Sequence, residues 1–203
     1  MLDRLLGMTT TASRVFVWLG GMMLMFAAFM TTAEVFLRKF ANFSFGGADE
    51  ISGYMFAIST AFAFSYAMLQ RAHVRIDAFY IHMPTPVQIF LDIVAFLALG
   101  AFLTLLCTQA YAMWYGSWEN SSVSITPMVT PLAIPQGVWL VGLIFFIFCF
   151  AVLGLRVAQA VFQRDWDTIT VLLSARSVEE ETEEERIAAQ EKLTREHELQ
   201  NRT

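Results

Sequence analysis

Apolar residues fall into four long uncharged runs, 15–33, 51–70, 93–118 and 137–155, while polar residues collect between these runs and after the last one. About 20 helical residues cross the ~30 Å hydrocarbon core of a bilayer. A helix also satisfies its own backbone hydrogen bonds, which lipid cannot do. The pattern therefore predicts an all-α integral membrane protein with four transmembrane helices, over about 15–36, 51–70, 87–112 and 136–160. These form one transmembrane domain, 1–170. Residues 171–203 follow as an acidic, partly helical tail.

The connecting segments differ from one another. Phe45, Gly46 and Gly47 make a flexible break before Asp49 and Glu50, whose charges suit the positive end of the helix they open. Pro84 and Pro86 stop one helix and start the next. Residues 119–136 are rich in Ser and Thr and carry Pro127, Pro131 and Pro135, a spacing that opposes helix and favours an extended segment on the outer surface. In the tail, Ser177 with Glu180, or Thr182 with Glu185, fits a capping box. Glu191 with Arg195 and Glu198 with Arg202 are favourable i,i+4 pairs.

Lys and Arg beside the runs set the orientation. One side receives Arg4, Arg14, Arg71, Arg75, Arg156 and Arg164, the other Arg38 and Lys39 alone, so both termini are expected in the cytoplasm. Trp114, Tyr115, Trp118 and Trp139 mark the outer boundary, and Trp18 and Trp166 the inner one. The first run is too long for a signal-peptide core and lacks a small-x-small cleavage site, so it reads as a retained anchor.

Composition agrees with a membrane protein: 57% of residues are hydrophobic and 15% charged, against roughly 45–50% apolar in soluble domains. The formal net charge of −5 belongs mostly to residues 175–203, which hold nine Glu against five Lys and Arg. No basic surface suggests nucleic acid as a partner. Cys107 and Cys149 lie inside predicted spans, where packing is their expected role.

Candidate chemistry is sparse. His73, His82 and His197 all fall outside the spans, so paired axial ligation of haem has no support, and no Cys/His cluster has metal spacing. There is no Gly-rich phosphate loop and no Ser/His/Asp set at one depth. Neither an enzyme nor a cofactor is expected. Ionisable groups within spans are functional candidates by default, but Glu34 and Asp92 sit near span ends. Glu34 shares a helix face with Arg38, which fits a local ion pair. Gly53, Ala57, Ala61 and Ser65 recur every fourth residue and form a small-residue ridge of the kind that lets membrane helices approach closely. Packing inside the domain and an interface with another protein both fit this ridge.

The most specific segment is Gln70-Arg71-Ala72-His73-Val74-Arg75-Ile76-Asp77, with Met83-Pro84 following. Together with Arg38 at the end of the first helix, Glu50 opening the second and Ile134-Pro135 closing the third loop, it resembles the small membrane subunit of TRAP transporters, the DctQ-like family. The resemblance spans roughly residues 15–165 in order and spacing. Two departures are mild: Asp49-Glu50 stands where two Glu are frequent, and Ala72 where Gly is common.

The resemblance implies a non-enzymatic permease subunit of the bacterial inner membrane. It would contact lipid, a large multispan membrane subunit and a periplasmic solute-binding protein, in a system that imports an organic acid on an ion gradient. The candidates for the interface with partner or lipid are Arg38, Glu50, Arg71, His73, Arg75 and Asp77, which carry the resemblance, together with Gly53, Ala57 and Ala61 of the ridge. No substrate-binding residue is expected in this chain. Two other readings compete: a stand-alone oligomeric channel using Glu34 or Asp92, and a redox-enzyme anchor binding quinone near Trp114 and Tyr115.

The charge asymmetry gives a test of topology. Reporter fusions after Arg75 and after Arg176 should read cytoplasmic, and a fusion at Ser122 periplasmic; a cytoplasmic signal at Ser122 would reverse the orientation.

Overall fold

The computed structural model describes residues 2–44, 46–71 and 83–163, together with 165, 168, 172, 186, 187, 189, 190 and 194. Four helices carry the chain: α1 (Leu2–Ala41), α2 (Ala48–Leu69), α3 (Thr85–Glu119) and α4 (Ala133–Gln163). All four are long and apolar enough to cross a membrane. Among the described residues there is no strand, only an isolated bridge between Val123 and Pro131. Most of the acidic tail lies outside the described residues.

The helices outrun the apolar segments that predict them. With 40 residues, α1 is ~60 Å long, about twice the hydrocarbon thickness. Its N-terminal extension is polar but stays helical. The hydroxyls of Thr9 and Thr10 donate to the Leu6 carbonyl at 2.9 and 2.8 Å, and Ser13 donates to that of Thr10 at 2.9 Å. Ends are set by local chemistry. Asn42, at φ 48°, terminates α1 in the left-handed conformation that Asn tolerates. Pro84 precedes α3 in an extended conformation, with Pro86 in the first turn. The Asn120 side chain closes α3 by donating to the Gly116 carbonyl at 2.8 Å. Past α4, the Asp165 carboxylate accepts from the hydroxyl and the N–H of Thr168, which holds it below the usual carboxylate range.

Helix α1 packs along α2, α2 packs on α4, and α1 also touches α4. Helix α3 also packs along α4, and it makes no comparably extended contact with α1 or α2 among the described residues. The result is a three-helix cluster with a fourth helix laid alongside, not a closed bundle. Phe16 sits at the junction of the cluster, its ring 4.7 Å from that of Phe62 on α2 and 4.6 Å from that of Phe145 on α4.

Each contact is built on a small residue. The seam of α1 is a seven-residue repeat in which Ser13, Gly20, Ala27 and Glu34 are all buried. Such a repeat keeps one face toward its neighbour when the helices wind left-handedly. At Gly20 the helices are close enough for the Ser59 hydroxyl to donate to its carbonyl at 2.9 Å, and an added Cβ would meet the Ser59 backbone at 3.2 Å. Between α2 and α4, a Cβ on Gly142 would lie 2.9 Å from both Ala61 and the Phe62 ring. Between α3 and α4, Phe96 and Phe150 stack at 4.3 Å and 14°. Phe150 lies over Gly100 on the opposite helix and Phe96 over Gly154.

The spacing at these glycines separates two substitutions. Gly142→Ala forces α2 away from α4 and should cost about 1–3 kcal/mol by overpacking. Gly154→Ala adds a methyl at an ordinary 3.5 Å from the Phe96 ring and should be near neutral. Thermal unfolding in detergent checks this; equal Tm values for the two variants would contradict the packing.

Candidate functional site

Polar side chains concentrate where α1 hands over to α2 and where α3 hands over to α4. Glu34 is 2% exposed near the end of α1, while Arg38, one turn on, is 60% exposed and donates from Nη2 to Glu34 Oε1 at 3.0 Å. The Ser44 hydroxyl donates to the same oxygen, so the carboxylate ties the first loop back onto the helix that precedes it. Ser44 Oγ in turn accepts from the Gly46 N–H at 3.1 Å.

Glu50 makes the corresponding tie for the third loop. It projects from the first turn of α2 and accepts from the Tyr54 hydroxyl at 2.7 Å and from the Thr126 hydroxyl. The Ser124 and Thr126 hydroxyls are 2.9 Å apart, and the Ser124 N–H donates to the Thr130 carbonyl at 2.9 Å. Beside this network Met128 lies over Gly47, where any Cβ would fall 1.9 Å from its sulfur.

The third loop is thus a folded-back hairpin rather than the extended segment its prolines suggest. Pro127 occupies the second position of a turn closed by the Val129 N–H donating to the Thr126 carbonyl at 3.1 Å, a position that proline favours. Val129 itself adopts φ 49°, an outlier for a β-branched residue. The Leu132 N–H donates to the Ser122 carbonyl at 2.9 Å and closes the hairpin.

The small-residue ridge divides at its middle. Ala61 and Ser65 are buried, Ala61 against Gly142 of α4, whereas Gly53 and Ala57 are exposed. Ala57 borders a cleft of about 240 Å³ with Tyr54, Met113, Leu132, Pro135 and Trp139. At the other end of α2, Arg71 takes φ 55° and its N–H donates to the Met68 carbonyl at 3.1 Å. His73, Arg75 and Asp77 lie outside the described residues. Asp92 is buried in the first third of α3. The described candidates therefore occupy separate places: Arg38 and Glu50 at one end, exposed Gly53 and Ala57 below them, Ala61 in the core and Arg71 at the opposite end of α2.

Tyr54 is four residues from Glu50 and was open to sequence reasoning. Thr126 is 76 residues away, and Ser44 ten from Glu34; nothing in their spacing distinguishes them from other loop hydroxyls. Among the described residues no three His, Cys, Asp or Glu side chains come close enough to hold a metal ion. The carboxylates Glu34 and Glu50 are engaged in holding loops.

A family model described as "Tripartite ATP-independent periplasmic transporters, DctQ component" matches residues 27–163. The match begins within α1 and ends with the last residue of α4. Comparison with curated proteins and with solved structures gave no match.

Glu50→Ala removes the shared acceptor of the third-loop network. Without it the Thr126 hydroxyl loses its tie to α2, so amide exchange across 122–130 should quicken while the helices stay protected. Unchanged exchange in this segment would show that Met128 and the hairpin turn hold the loop without Glu50.

Proposed function

This chain belongs to the DctQ family of tripartite ATP-independent periplasmic transporter components, and from that premise we propose that it is the small permease subunit that braces a large membrane subunit during uptake of an organic acid. The large subunit carries the substrate and ion sites, and a periplasmic solute-binding protein delivers the substrate. The chain resides in the bacterial inner membrane with both termini in the cytoplasm. The first and third loops then face the periplasm, and the His73–Asp77 segment faces the cytoplasm.

One observation carries the reading: α1 and α3 leave most of their apolar surface uncovered, and the carboxylates of Glu34 and Glu50 hold loops. A static brace needs wide contact surfaces and fixed loops, and it needs no binding site of its own. Gly53 and Ala57 favour close approach by a further helix, since van der Waals contact drives helix association in lipid.

Leucine at two neighbouring ridge positions tests the proposal in membranes that also contain the large subunit. Ala57→Leu should lower the amount of large subunit that copurifies by several-fold, with stability within about 0.5 kcal/mol of the parent as for other surface changes. Ala61→Leu, at a position with no exposed surface, should destabilise the chain itself. Undiminished copurification with Ala57→Leu would remove this face from the interface. Failure of the unaltered chain to copurify with any large subunit would overturn the brace.

A further inference from the structure

We propose, resting on the brace reading, that the cleft between α2, α3 and the start of α4 receives one Trp or Tyr side chain from a membrane helix of the large subunit. The N–H or O–H of that side chain donates to Gln136 Oε1. Among the described residues this oxygen is the one buried side-chain N or O atom without a hydrogen-bond partner. An acceptor left unpaired away from water is costly, and the hydrocarbon of a bilayer supplies no donor.

The cleft has a volume of about 240 Å³ and is lined by Tyr54 and Ala57 from α2, Met113 from α3, and Pro135, Gln136 and Trp139 from α4. It exists because α2 and α3 both pack on α4 yet make no extended contact with each other. Ala57 and Met113 are exposed, so the cleft opens on the outside of the chain. The Tyr54 hydroxyl is already spent on Glu50 Oε1 at 2.7 Å. Trp114 pins the turn that carries Gln136. Its Nε1–H donates to the Ala133 carbonyl at 3.1 Å, and a Cβ on Gly137 would lie 3.0 Å from the same nitrogen.

Shape and chemistry select the occupant. A bound water needs two to four polar partners, and apart from the Gln136 amide the cleft wall is nearly all apolar. An acyl chain fills apolar space but carries no donor. A donor-bearing ring meets both demands. Tyr54 and Trp139 offer aromatic faces and Met113 a thioether, which suits the edge of a ring. Trp and Tyr are also the side chains that most often anchor protein interfaces by filling such pockets. Ala57 on the rim lets the helix that bears the ring come close.

The test titrates the detergent-purified chain with the large subunit. Gln136→Met keeps the length of the side chain and removes the acceptor. The Tm of the free chain should stay level or rise, since an unpaired polar atom is lost, while affinity for the large subunit falls about threefold to tenfold. A photo-crosslinking residue in place of Met113 should join to the large subunit within one helical turn of a Trp or Tyr. Changing that Trp or Tyr to Phe should weaken binding to the unaltered chain by a similar factor, and binding to the Gln136→Met chain clearly less. Affinity untouched by Gln136→Met, or affinity and Tm falling together, would overturn the assignment. Crosslinks to lipid alone, or to a stretch of the large subunit without Trp or Tyr, would do the same. If the unaltered chain binds no large subunit, the brace reading fails and this contact with it; binding that ignores Gln136 removes only the occupant of the cleft.

Discussion

Lipid tails are as apolar as leucine, so burying apolar side chains supplies little drive for one membrane helix to join another. Close contact has to hold this fold together, and close contact requires small residues at the crossings. Gly20 brings α1 near enough to α2 for a Ser59 hydroxyl to reach a main-chain carbonyl. Gly142 seats α4 on Ala61 and Phe62, while Gly100 and Gly154 receive the stacked rings of Phe150 and Phe96. Large aromatic side chains then act as fillers over glycine notches. That arrangement lets a chain with 19 Phe pack tightly although few of its helices are well covered.

The same solvent explains where the polar groups went. An unpaired carboxylate is expensive at membrane depth, and Glu34 and Glu50, near the end shared by the first and third loops, each accept from more than one donor. Glu34 takes Arg38 and Ser44; Glu50 takes Tyr54 and Thr126. By doing so they convert two flexible connections into fixed surfaces. Gly47 and Met128 bring these surfaces together, because the first loop ends where the hairpin of the third loop rests. Loops fixed in this way can be bound without first being ordered.

Coverage is uneven across the four helices. The inner pair, α2 and α4, carries most of the buried residues, and the outer pair, α1 and α3, presents broad apolar faces. Open apolar faces are consistent with membership of a multicomponent transporter family.

Four spans, their order and the family were legible in the chain because each depends on local content. Uncharged runs set the helices, and Pro84 and Asn42 mark breaks through their own backbone preferences. The motif beginning at Arg71 needs no neighbour to be recognised. The Glu34–Arg38 pair was legible for the same reason, being one helical turn apart. What tertiary structure decided depends on distance along the chain. The ridge from Gly53 to Ser65 is uniform as a sequence, yet α4 covers only its second half, because the crossing with α2 falls at Gly142. Glu50 carries no sign of Thr126, and three prolines argued for an extended loop, until one carboxylate in the first turn of α2 supplied the acceptor that folds the loop back. Helices follow from side chains within a turn of one another; which faces meet, and which loop a carboxylate holds, follow from packing between residues far apart in the chain.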